Sequence, residues 1–132
     1  MASAARWILR LAGIYGLVVL APFYFLEEQI GIQQPPPITH PEYFYGFAGV
    51  ALAWQVAFLI MSTDPIRYRS LLLPAALEKF SFGIATVVLR AQDRLAVPPL
   101  AGGIIDLVCG VLFLVCYFQL PATYGKLTSN VD

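Results

Sequence analysis

Four side chains, Gln55, Glu78, Lys79 and Asp106, and a phenol, Tyr15, stand inside stretches that are otherwise apolar enough to span a bilayer. An ionisable group in hydrocarbon costs about 2.5–3.5 kcal/mol on insertion scales, so it persists where it faces a bundle interior and meets a partner. A carboxyl in such a place can relay a proton or polarise a ligand. A lysine can neutralise it, and an amide or phenol can orient it. The single histidine, His40, has no cysteine or second histidine in its loop, so no metal site is expected.

Glu78 and Lys79 are adjacent, hence about 100° apart on a helix, and cannot both point at one spot. The economical arrangement pairs Lys79 with Asp106 and leaves Glu78 neutral or hydrogen-bonded to Gln55 or Tyr15. Depth supports a shared level. Counting inward at ~1.5 Å per residue across ~30 Å of hydrocarbon puts Glu78 about 12 Å, Gln55 about 10 Å and Tyr15 about 13 Å from one face. Asp106 lies about 12 Å from the other by the same count. Two readings stay open: a working carboxyl, or a buried polar network that sets helix register.

The elements that must position these groups follow from composition. The chain has 132 residues, of which 59% are hydrophobic and 12% charged, with zero formal net charge. That is too apolar for a soluble domain of this length and gives no electrostatic reason to expect nucleic acid as a partner. Apolar stretches run approximately Trp7–Leu26, Tyr43–Met61, Ser70–Leu89 and Pro98–Leu120. Each is near the roughly 20 residues a spanning helix needs. The expectation is one all-α domain over residues 1–132, an integral membrane four-helix up-and-down bundle. No length remains for a separate nucleotide-binding or protease domain.

Arg6 and Arg10 precede the first apolar run, which is long for a signal peptide and ends in Phe23-Tyr24-Phe25-Leu26-Glu27-Glu28 without small cleavage-site residues, so it reads as a span. Arg6, Arg10, Arg67, Arg69 and Lys126 flank one side, against Arg90 and Arg94 on the other. By the positive-inside rule both termini are expected to be cytoplasmic. Arg67 and Arg69 then fall at the level of anionic lipid headgroups. The connection Glu27 to Pro41 contains Pro35-Pro36-Pro37 and is expected to run extended, as a stiff connector or a lid. Pro74 is expected to kink the third span.

Gly102, Asp106 and Gly110 share one helical face, with glycines leaving room for a neighbouring backbone. In the second span Ala48, Ala51 and Gln55 form one small stripe, and Gly49, Ala53 and Ala57 another. The second and fourth spans are therefore expected to pack closely. Cys109 and Cys116 are seven residues apart, about 10 Å along the axis, too far to form a mutual disulfide, and read as core thiols.

The run Asp64-Pro65-Ile66-Arg67-Tyr68-Arg69, followed by Pro74 and Leu77-Glu78-Lys79-Phe80, resembles small bacterial four-span proteins of the DoxX-like kind. The resemblance implies a bacterial inner-membrane protein, and some DoxX-like proteins are associated with thiosulfate:quinone oxidoreduction or other redox partners. With no haem, flavin or iron–sulfur motif, no built-in cofactor is expected. The functional expectation is binding of a small lipophile, a quinone or lipid, or service as an accessory subunit of a larger membrane complex or homo-oligomer. The alternatives are a small proton-coupled transporter of lipophilic compounds and a membrane-embedded enzyme. Small multidrug transporters carry their working carboxylate in the first helix, and the first span here has no acid.

Overall fold

The computed structural model describes residues 1–122; Lys126, part of the charge count above, lies outside the described residues. Helix α1 (Ala2–Leu20) runs on as a 3-10 turn, Ala21–Phe25, and is followed by a short α2 (Glu27–Gln33). Then come α3 (Pro41–Met61), α4 (Leu72–Ala91), entered through a 3-10 turn at Arg69–Leu71, and α5 (Val97–Gln119). All are helices, and α1 with its extension, α3, α4 with its entry turn, and α5 are each 21 to 24 residues long and apolar enough to cross a membrane. The chain is a multi-pass membrane protein built as an all-α bundle.

Prolines set most of the helix starts. Pro41 opens α3, and Pro98 and Pro99 fall in the first turn of α5, where a missing N–H removes no intrahelical bond. Pro74 is the third residue of α4, so it too lacks an N–H at a position with little need of one. The helix therefore starts later than the sequence suggested, and no kink need be assigned to this proline. Ahead of it, the Asp64 carboxylate accepts the Arg67 backbone N–H at 3.2 Å and closes the turn around Pro65.

The far end of α4 is closed by a two-bond cap. Arg94 N–H donates to Leu89 C=O at 2.9 Å and Asp93 N–H to Arg90 C=O at 3.1 Å, the paired pattern of a Schellman motif. It requires a left-handed residue, and Asp93 supplies it at φ 55°.

The bundle consists of two helix pairs. Helix α1 packs along α3, and α4 along α5. Glycines permit both approaches. A Cβ on Gly13 would come within 2.9 Å of the Gln55 backbone oxygen, and one on Gly83 within 2.8 Å of the Gly103 carbonyl. A Cβ on Gly103 would collide with the Thr86 hydroxyl. The expected closeness of the second and fourth spans is corrected: α3 takes α1 as its partner, and α5 takes α4. On α5 the residue in tightest contact is Gly103, one position from the stripe drawn through Gly102. Gly110, from that stripe, does face a ring, with Phe80 3.0 Å from its ideal Cβ, whereas Gly102 has nothing nearer than Phe82 at 3.9 Å.

The two pairs join at the end of the bundle that carries Met1. There Leu9 of α1, Phe58 and Met61 of α3, Leu72 of α4 and Phe113 of α5 are almost wholly buried. Phe58 and Phe113 meet edge to face with centroids 5.0 Å apart. Cys116 belongs to this core and Cys109 borders it, both as free thiols. Toward the α2 end the space between the pairs is not filled by side chains.

A cleft floored by buried charges

That unfilled space is a cleft of about 490 Å³, reaching from α2 down between the four long helices. Its floor holds Gln55, Glu78, Lys79 and Asp106, and Tyr15 stands on one wall. The five groups, drawn from four different helices, thus share one cavity. The reason is helical register: Phe47, Ala51 and Gln55 of α3, Glu78 and Phe82 of α4, and Pro98, Gly102 and Asp106 of α5 are each spaced by four, so each set lines one face.

Lys79 Nζ lies 3.1 Å from Asp106 Oδ1 and 3.4 Å from Glu78 Oε2. The lysine pairs with Asp106 as expected. Glu78 departs from expectation, because it turns to the same ammonium instead of to Gln55 or Tyr15. A single opposite charge at 4 Å is worth about 4 kcal/mol at an effective dielectric near 20, which offsets part of the cost of removing three charges from water. The ammonium also sits 5.3 Å from the Phe58 ring centroid, so the apolar core forms its back wall.

The carboxylates are the more accessible members. Side-chain exposure is 7% for Lys79, 13% for Asp106 and 18% for Glu78. Gln55 is fully buried, with its Nε2 donating to the Ala51 carbonyl at 2.9 Å. That bond fixes which end of the amide is which. The Gln55 side-chain oxygen lies in the notch of Gly16, where a Cβ would overlap it, and it has no hydrogen-bond partner. Glu78 Oε2, although within ion-pair range of Lys79, likewise has no hydrogen-bond partner.

The walls are aromatic. Phe47 and Phe82 stack across the cleft from α3 and α4 at 5.6 Å, and Phe23 stacks on Phe44 at 5.8 Å. Ile30 and Gln34 contribute from α2. This helix was not anticipated, since the prolines that follow it dominated the reading of the loop; Glu27 and Glu28 in its first turn are the helix-start signal that was there to be read. Helix α2 is tied to α3 by the Tyr45 hydroxyl, which donates to Glu27 Oε2 at 2.6 Å. The steps of four through Phe47, Ala51 and Gln55 and from Glu78 to Phe82 place these phenylalanines on the faces that carry the polar floor.

Arg67 and Arg69 have different surroundings. Arg67 is exposed, its guanidinium 5.7 Å from the Tyr68 ring. Arg69 donates through Nε to the Tyr117 carbonyl at 2.8 Å and lies over the Tyr117 ring at 4.1 Å. Tyr117 is in the last turn of α5, where carbonyls lack intrahelical donors, so Arg69 acts as a cap that ties α4 to the end of α5.

Neither a family model, nor a curated protein, nor a solved structure matches this chain.

Proposed function

We propose that this protein binds a small amphiphile, a quinone or a lipid fragment, with its polar head on the Glu78–Lys79–Asp106 floor and its apolar body between the phenylalanines. One observation carries the reading: the floor charges and the aromatic walls line the same cleft, of about 490 Å³, which is within the range of small-molecule sites. A network that served only to set helix register would need no such space above it. In keeping with the DoxX-like resemblance, the protein resides in a bacterial inner membrane with cytoplasmic termini. The cleft then opens toward the outer side, and the protein acts as a binding component that hands its ligand to a larger membrane complex.

The test uses Gly102→Phe. Gly102 lines the cleft and its Cβ would meet only Phe82, at an ordinary 3.9 Å, so a phenyl ring there is expected to occupy the cavity without disturbing the helix pairs. Mass spectrometry of organic extracts should find a lipophile that accompanies the purified wild-type protein and is depleted from the variant. Equal extracts from two equally folded proteins would remove the reading.

A further inference from the structure

Resting on the ligand-binding reading and narrowing it from quinones to amine-headed lipids, we infer that the cleft selects an amphiphile whose head is a protonated amine, a cation with N–H donors, over neutral or anionic heads of the same size. Three independent features of the floor point the same way. Its charges are two carboxyls and one ammonium, and Lys79 is the only cation lining the cleft among the described residues. When both carboxyls are ionised, the floor therefore carries one uncompensated negative charge in a medium where that charge interacts strongly with any cation.

The second feature is which partners are missing. Among the described residues, the buried side-chain atoms without a hydrogen-bond partner are Gln55 Oε1 and Glu78 Oε2, both acceptors, the second with only the Lys79 ammonium 3.4 Å away as an ion-pair neighbour. Leaving a buried acceptor unpaired costs about as much as a hydrogen bond is worth, so a head group that donates recovers stability that an accepting head does not. An oxidised quinone offers only acceptors; a quinol or an amine offers donors, and only the amine adds the compensating charge. The third feature is access. Glu78 and Asp106 are more exposed than the ammonium that pairs with them, so an incoming head meets carboxylate edges first.

The experiment uses a reporter cysteine at Val19, a cleft-lining position, in a Cys109→Ala, Cys116→Ala background reconstituted in neutral-lipid nanodiscs. Protection from maleimide is measured against octylamine, octanol and octanoate, which share one chain. A cysteine at Val108, exposed on the outside of α5, corrects for partitioning into the bilayer. Octylamine should protect Val19→Cys at a concentration about tenfold lower than octanol, as one charge-assisted hydrogen bond would give, and octanoate should protect least. Adding Glu78→Gln should bring octylamine to within about threefold of octanol. Equal protection by all three compounds would overturn the head-group selectivity and leave ligand binding standing. Protection by none would overturn both.

Discussion

Lys79 Nζ and Asp106 Oδ1 lie 3.1 Å apart across the α4–α5 interface, midway along the membrane-spanning helices and almost out of reach of water. The pair couples the two helices that pack most extensively. It also holds the one cation of the cleft floor against the core side, leaving the carboxylates facing the cavity.

Breaking the pair from either side should be costly. Lys79→Met leaves two carboxylates without a cation and Asp106→Asn leaves the lysine with Glu78 alone, so the first should lose ~3–5 kcal/mol and the second less. The double variant should be more stable than the sum of the two losses. Denaturation in mild detergent, analysed as a double-mutant cycle, measures the coupling; strictly additive losses would show that the 3.1 Å contact contributes nothing.

Glu78→Gln keeps the size of the side chain and its capacity to accept a hydrogen bond while abolishing its charge and its proton. Folding should change by less than about 1 kcal/mol, because Asp106 still neutralises Lys79. Ligand retention should fall markedly. A variant that unfolds would assign Glu78 to the framework instead of to the cleft.

Neighbouring glycines on α5 should respond to different extents. The Cβ of Gly103→Ala would strike the Thr86 side chain, whereas that of Gly102→Ala meets only Phe82 at an ordinary distance of 3.9 Å. The first should cost about 1–3 kcal/mol and the second less than ~0.5. Thermal unfolding of the two variants side by side tests the packing of α4 against α5.

Asp93 pays for a left-handed conformation that glycine adopts without a steric clash. Its ion pair with Arg90 spans 3.8 Å between largely exposed groups, so its loss matters little. Asp93→Gly should therefore stabilise the protein by about 0.5–1 kcal/mol, read as an upward shift in the midpoint of denaturation. A downward shift would mean that the carboxylate is needed where it stands.

Topology has its own test. Thr39, beside the proline run, and Thr63, in the connection before α4, lie at opposite ends of α3. With Cys109 and Cys116 replaced, single cysteines at these two positions should label from opposite sides in membrane vesicles, Thr39→Cys from the outside. Labelling of both from one side would contradict a spanning α3.

The number of spans and most of their limits were determined by composition, since a run of about 20 apolar residues has few alternatives in water or lipid. The prolines at 41, 98 and 99 marked helix starts for the same local reason: a ring that cannot donate is tolerated only in a first turn. Candidate residues were legible too, because charge within hydrocarbon is conspicuous, and pairing Lys79 with Asp106 was the economical arrangement. What tertiary structure decided was who packs on whom. Small-residue stripes on α3 and α5 were equally compatible with mutual packing and with packing on α1 and α4, and only the fit of Gly13 and Gly16 to Gln55, and of Gly103 to Thr86, distinguishes them. That choice also decided the site. With α1 on α3 and α4 on α5, Leu9, Phe58, Met61, Leu72 and Phe113 close the bundle at the Met1 end, while the side chains that line the α2 end, Phe47 and Phe82 among them, leave a cleft between the pairs. A cavity is a difference between the volumes of many side chains brought together, and no single stretch of sequence contains it.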